Sequence, residues 1–228
     1  MAARNTIPNQ VFIGLPWKTV RPKYDRAIDW LSIRSPLSFV IVGRGDDQDA
    51  QDLLDIIKSK LENSSFALFD ATGGNANVSL EYGYAEAKNI PRALYLSSHK
   101  AAHKSRDLSI VSDLAGKRRN HYSNERRLQA LLQDFSKKHP YVLRFEKTLA
   151  LESRRLDKGK KKRLRALVLK AIHVLDGQSD VRRDDLVQRL RADTSGYSDS
   201  EIDDVIRQLH RKRLFYVEPG RYSRVSIA

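Results

Sequence analysis

The sequence predicts an α/β protein with a mostly parallel sheet, followed by a small helical module that ends in a hairpin. Three observations carry this. Over residues 9–136, short β-branched or apolar runs alternate with stretches of helical periodicity. The run "FALFD" is followed by a polar glycine loop and then by a helix that carries an acid, the way open α/β sheets build a site. Beyond residue 164 the order changes to three helices and then two short strands.

The elements follow in chain order. "QVFIGLP" is a short apolar run ended by Gly and Pro, the first strand. "PKYDRAIDWLSI" sets Tyr24, Ala27, Ile28 and Leu31 at helical spacing. "LSFVIVG" reads as a buried second strand, and "DAQDLLDIIKSKLENS" as a helix with Leu53, Leu54, Ile57 and Leu61 on one stripe. Its acids Asp49 and Asp52 suit a positive helix N-terminus. "FALFDAT" is strand three, "NVSLEYGYAEAKN" helix three and "RALYLSS" strand four. "KRRNHYS" holds a short fifth strand, and "SNERRLQALLQDFSKKH" closes the domain as a helix. Such alternation gives a parallel sheet covered on both faces, with ligands outside the carboxyl ends of the strands. The loops at Gly14–Trp17, Gly43–Asp46 and Asp70–Asn77 should therefore gather on one rim.

Three segments are expected: an α/β domain over 1–139, a basic linker over 140–163 and a third over 164–228. In the last, "LRALVLKAIHVLDG" is an amphipathic helix stopped by Gly177, "RRDDLVQRLRAD" a shorter helix, and "SDSEIDDVIRQLHRKRLF" a helix opened by a Ser198/Glu201 capping box. "LFYVEPGRYSRVSI" is a hairpin around Pro-Gly. Three helices before a hairpin is a winged helix-turn-helix order.

The 228 residues carry net charge +14, which suggests an anionic partner: nucleic acid, nucleotide or acidic protein. From Arg144 to Arg165 ten Lys/Arg stand against three Asp/Glu, a net +7 and half of the total. With no cysteine there is no disulfide, thiolate metal site or thiol nucleophile, which fits a reducing cytosol. No apolar run approaches the roughly 18 residues of a membrane span, and "MAARNTIPNQ" lacks a signal-peptide core. A cytoplasmic protein with no membrane partner is expected.

Chemistry concentrates in "FDATGGNANVSLEYGYAEAKNIP". Gly73 and Gly74 let backbone approach a ligand. Asn75 and Asn77 offer amide donors and acceptors, and Asn77 is also a plausible helix N-cap. Glu81 lies about a turn inside the helix, where a carboxylate can attack or stabilise an oxocarbenium-like sugar carbon. Gly83 and Ala85 allow close packing on the sheet. Trp17 stands beyond strand one, where it can stack on a base or join the core. Lys18, Arg21 and Arg44 share its rim and can hold phosphate or stand as solvated surface.

These residues, Asp70, Asn77, Val78, Glu81, Gly83 and Ala85, resemble the signature of nucleoside 2-deoxyribosyltransferases and of the related TIR-like effector domains of bacterial anti-phage defence. "VFIGLPW" is similar to their first strand and substrate loop. "SDLAGKRRNHYSNERRLQALL" is similar to their late strand–helix segment, in which an Asp and a Tyr flank the last strand. The resemblance covers roughly residues 9–136. It implies a flavodoxin-like (TIR/deoxyribosyltransferase-like) sheet and cleavage of an N-glycosidic bond in a nucleoside, nucleotide or NAD. Glu81 falls where the family has its catalytic glutamate, and Asp70 on the strand-end acid that contacts the base or orients the sugar. Gly14, Trp17, Arg44, Gly73, Gly74, Asn75 and Asn77 then hold substrate. Asn75 stands where many transferases have Asp, which shifts the reading toward hydrolase or effector relatives. No cofactor is implied, NAD entering only as a substrate, and relatives often complete their sites across subunits, so a homo-oligomer is expected. The alternative is a non-catalytic nucleotide sensor that binds DNA or regulates.

For the last segment, DNA binding and protein docking stay open. Its third helix begins with Asp199, Glu201, Asp203 and Asp204, which would repel phosphate. Cations come from Lys160, Lys161, Lys162 and Arg163, then Arg207, Arg211, Lys212 and Arg213, and from Arg221 and Arg224 on the hairpin. Such binding would be driven by charge and strongly salt-dependent. No metal is expected. His99 and His103 lack a third ligand, and Asp46, Asp47 and Asp49 read as a polar turn entering a helix. No Gly-Lys-Ser/Thr follows "GRGDD", so it is no P-loop.

Overall fold

A computed structural model of the chain describes residues 6–42, 50–98, 119–175, 181–193, 197–218 and 224–228. The chain divides into two compact units, one of residues 1–32 and 39–136, the other of residues 33–38 and 137–228.

The first unit is built on strands β1 (Ile7–Gly14), β2 (Ser38–Val40), β3 (Ser64–Asp70), β4 (Arg92–Ser97) and β5 (Arg119–Tyr122). They form an all-parallel sheet in the order β2-β1-β3-β4-β5. That is the flavodoxin-like doubly wound order, with its switch point between β1 and β3. Helices α1 (Trp17–Ser32), α2 (Ala50–Glu62), α3 (Ala76–Ala87) and α4 (Glu125–Lys138) accompany it.

Strand alternation sorts the two faces. Phe12, Ala67 and Phe69 pack against Leu61 of α2 and Val78, Tyr82 and Ala85 of α3. Phe66 turns the other way, its ring 4.9 Å from that of Phe135 on α4. Tyr24 of α1 meets Tyr122 of β5 edge to face at 6.3 Å. Burying these aromatic and aliphatic side chains stabilises the unit by roughly 1.5–3 kcal/mol each.

Three details differ from the sequence expectation. Helix α1 begins at Trp17, five residues before Pro22, and accommodates that proline in its interior. Val20 extends the buried stripe Tyr24, Ala27, Leu31 by one turn, and this burial outweighs the hydrogen bond that proline cannot donate. Strand β2 is a three-residue, half-buried edge rather than a long buried strand. A Cβ on Gly83 would meet nothing within 4 Å, so this glycine faces open space and does not pack on the sheet.

The second unit contains α5 (Pro140–Glu152), α6 (Lys158–Leu175), β6 (Val181–Arg182), α7 (Arg183–Asp193), α8 (Asp199–Arg211), β7 (Phe215–Val217) and β8 (Arg224–Ile227). The strands form an antiparallel sheet, β6-β8-β7. Tyr141, Phe145 and Leu149 of α5 join Leu167, Val168 and Ile172 of α6, Leu186 of α7, Ile202 and Ile206 of α8, Phe215 and Val225 in one core. The segment read as a basic linker therefore supplies core: one face of α5 is apolar although the other is charged. Strand β6 has no signal of its own in the sequence, because two residues pairing with β8 leave no local period.

Among the described residues no helix is long and apolar enough to cross a membrane.

Candidate functional site

A cleft of about 650 Å³ opens at the carboxyl end of β1, beside the switch point. This size suits a small-molecule ligand. Its wall brings together Gly14, Trp17, Asn75, Asn77 and Glu81, which lie up to 67 positions apart in the sequence. Ile13, Leu15, Val42, Leu53 and Ile57 supply an apolar floor, and Lys18 and Thr19 contribute polar groups. Of these, Leu53 and Ile57 stood in the sequence only as a helix stripe, and nothing marked Thr19.

Glu81 sits on α3 and is placed by the cap of that helix. The side chain of Asn75 accepts the N–H groups of Asn77 at 3.0 Å and Val78 at 3.2 Å. Asn75, not Asn77, is therefore the N-cap, which sets Glu81 six residues in, on the helix face toward β1. Asn77 keeps its side chain exposed in the cleft wall.

The Glu81 carboxylate is pressed against the strand end. A Cβ built on Gly14 would collide with Glu81 Oε2 and lie 2.7 Å from Phe69 Cδ1. Only glycine leaves room there. Oε2 is buried and has no hydrogen-bond partner among the described residues. Burial pushes this carboxyl up to about 7, because desolvation disfavours its charged form. A carboxyl poised near neutrality on a cleft wall is a functional-site candidate with a physical reason.

Asp70 has a different environment. It ends β3 one position beyond Phe69, so its side chain leaves the sheet on the opposite face from Glu81. It is fully buried. Oδ2 accepts the phenol hydroxyls of Tyr24 at 2.9 Å and Tyr122 at 2.7 Å, and Oδ1 accepts the Thr72 N–H at 2.9 Å. Thr72 Oγ1 in turn accepts the Ser97 N–H at 2.8 Å. Burial raises the Asp70 carboxyl, while the bonds from Thr72, Tyr122 and Tyr24 oppose the rise. This group ties α1, β3 and β5 together and does not line the cleft. The sequence expected it beside the sugar; the structure does not bring it to Glu81. Tyr24 read as core packing alone, although a buried phenol needs a partner for its hydroxyl.

Gly73 and Gly74 adopt φ of 76° and 64° and form the turn between Asp70 and Asn75. Their left-handed backbone is what the loop requires of them. They are not in the cleft wall, where the close approach occurs at Gly14 instead. Trp17 is 41% exposed at the cleft mouth, with the Arg21 guanidinium 4.5 Å above its ring. Arg21 Nε is held by Asp25 at 2.6 Å. Arg44, with Asp46, Asp47, Asp49, His99 and His103, lies outside the described residues. Among those described, no group of three His, Asp or Glu is placed to hold a metal.

In the second unit the capping box of α8 is complete: Ser198 Oγ accepts the Glu201 N–H, and Glu201 accepts the Ser198 N–H. The acids that open α8 are engaged within the unit. Arg191 meets Asp199 at 3.4 Å, Arg183 meets Asp203 at 2.7 Å and Arg207 meets Asp204 at 3.2 Å. Several candidate cations are engaged too. Lys160 pairs with Asp157 at 3.6 Å, Lys212 with Glu152 at 3.5 Å, and Arg163 stacks on Tyr197 at 4.7 Å. Lys161, Lys162, Arg211, Arg213 and Arg224 are exposed; Arg221 lies outside the described residues.

Searches with family models, against curated proteins and against solved structures found no match to this chain.

Proposed function

We propose that the first unit cleaves the N-glycosidic bond of a nucleoside, nucleotide or NAD, as a hydrolase or glycosyl transferase, with Glu81 acting on the sugar. The observation that carries the reading is the Glu81 carboxylate, desolvated and without a partner on Oε2, on the wall of a cleft sized for a nucleoside. Its resemblance to the deoxyribosyltransferase and TIR-like signature supports it. The C1′–N bond breaks with its electron pair leaving on the base. The Glu81 carboxylate bonds to, or stabilises, the electron-poor C1′. Water or an acceptor base then takes the sugar, and Glu81 is regenerated. Trp17 is placed to stack on a base, and Asn77 to hydrogen-bond sugar or base. Asp70 acts from behind the sheet, as a tie that fixes the strand ends.

The second unit is a winged-helix module that docks nucleic acid or protein. On this reading the protein is a cytoplasmic effector of the anti-phage type, or a nucleotide-processing enzyme, that works as a homo-oligomer.

The test is to incubate the protein with NAD, NADP and a panel of nucleosides and nucleotides, with Glu81→Gln beside it, and to detect free base by mass spectrometry. Base is expected from the parent alone. Equal turnover by both proteins would remove Glu81 as the catalyst. One observation favours a second reading, a sensor that binds a nucleotide without cleaving it: Asp70 is saturated by Tyr24, Tyr122 and Thr72, so the cleft has no second carboxylate from β3. Tight nucleotide binding with no base release would favour the sensor.

A further inference from the structure

The corner between α5 and α6 carries the densest charge of the second unit. Residues 154–163 contain seven Lys/Arg and one acid, Asp157. The three acids of the 144–165 stretch are all engaged by other cations: Glu146 by Arg165 at 2.7 Å, Glu152 by Lys212 at 3.5 Å and Asp157 by Lys160 at 3.6 Å. That leaves Arg154, Arg155, Lys158, Lys161 and Lys162 exposed, with no partner among the described residues. Lys158, Lys161 and Lys162 stand at i, i+3 and i+4 on one stripe of α6.

This placement works against the helix. The first turn of α6 holds Lys158, Lys160 and Lys161 and no acid. The partial positive charge of a helix N-terminus disfavours cations there. Asp157, whose side chain accepts the Lys160 N–H at 2.9 Å, offsets this only in part, because one acid stands against the cations of that turn and their neighbours; an anion from outside would offset the rest. Residues 151–166 contain no aromatic side chain to serve as a platform for unstacked bases, and the nearby Tyr197 ring is already stacked by the Arg163 guanidinium at 4.7 Å. Readers of the 2′-hydroxyl are scarce too, since residues 154–163 contain no Ser, Thr, Asn or Gln and Ser153 is half-buried at the end of α5. An acidic protein would need an apolar centre to the contact, and the five cations supply none. What remains is the phosphate backbone of duplex DNA.

We propose that the second unit grips the backbone of duplex DNA, without reading its sequence, through the α5–α6 corner at Arg154, Arg155, Lys158, Lys161 and Lys162. This rests on the docking role given above to the second unit and makes the start of α8 a bystander.

The experiment is fluorescence anisotropy of the full chain on two unrelated 24-base-pair DNA duplexes across 50–200 mM salt. Five phosphate contacts predict a slope of about −4 to −5 in log K against log salt. The variant Lys158→Gln/Lys161→Gln/Lys162→Gln should flatten that slope by about 2 to 3. It should leave the thermal midpoint unchanged or raised. Asp157→Asn keeps an acceptor for the Lys160 N–H, now at 2.9 Å, and removes the one local acid. It should tighten binding about 2- to 5-fold. Arg207→Gln/Arg211→Gln on α8 should change little. The proposal is overturned by no binding at 50 mM salt or by a preference above about 100-fold between the duplexes. It is also overturned by an effect of the α8 variant but not of the lysine variant, by tighter binding of duplex RNA or single strands, or by equal displacement with poly-aspartate. Glu81→Gln should bind DNA as the parent does, so failure here and failure of base release are read separately.

Discussion

Glu81 and Asp70 are both buried carboxyls raised by desolvation, yet they call for opposite predictions. Glu81 has no bonds on Oε2 to lose. Its folded value near 7 lies above the 4.5 of an exposed glutamate, so the folded chain holds that proton more tightly. The penalty is absent below about 4.5, grows as pH rises and is complete above about 7. Glu81→Gln should therefore be more stable than the parent at pH 8, by about 1–3 kcal/mol, with the gap closing toward pH 4.5. Urea titrations at three pH values measure this. If Glu81 acts as an anion, kcat/KM should rise through pH 7 and level off; a fall over that range would assign it as a general acid instead. Asp70→Asn leaves two phenols competing for one acceptor and turns an NH₂ toward the Thr72 N–H. A loss of about 1–3 kcal/mol is expected, with the pH of half-maximal rate unmoved. The sequence displayed both acids but not this difference, which depends on which face of β3 each meets.

At the scale of elements, most helices were legible because periodicity and caps are local. The capping box of α8 was readable from Ser198 and Glu201 alone. The start of α1 was not, because Pro22 is a local stop signal that the packing of Val20 overrides. The cap of α3 was misplaced by two residues, since Asn75 and Asn77 are the same residue type in neighbouring positions and only the backbone geometry chooses between them. Asn75→Ala should cost about 1 kcal/mol and loosen the turn that aims Glu81. A larger loss of turnover than of substrate affinity is the expected signature. Strand β6 and the pairing of β6 with β8 rest on contacts across some forty residues, for which a single sequence carries no local mark.

Over the whole molecule, the alternation of strands and helices announced a parallel sheet, and the loops after β1 and β3 do meet on one cleft. The order of the strands was not legible, because it is decided by which crossover packs on which face. The separation at residues 136 and 137 was nearly so, but the aromatic residues of α5 lay hidden in a stretch dominated by charge. The two activities proposed here belong to different units and should be separable by substitution. Duplex binding should fall about 10³-fold between 50 and 200 mM salt, whereas base release, carried by a buried carboxylate, should change far less over the same range.

The missing side chain at Gly14 bears on how this cleft can be re-engineered. A single methyl group there meets both Glu81 and Phe69, so positions 14 and 81 form one unit that a mutational library has to leave alone. Trp17, Thr19 and Leu53 border the same space from other elements, α1 and α2. A campaign to change substrate preference has its freedom at those three positions, and Gly14→Ala is the control that should inactivate every member of it.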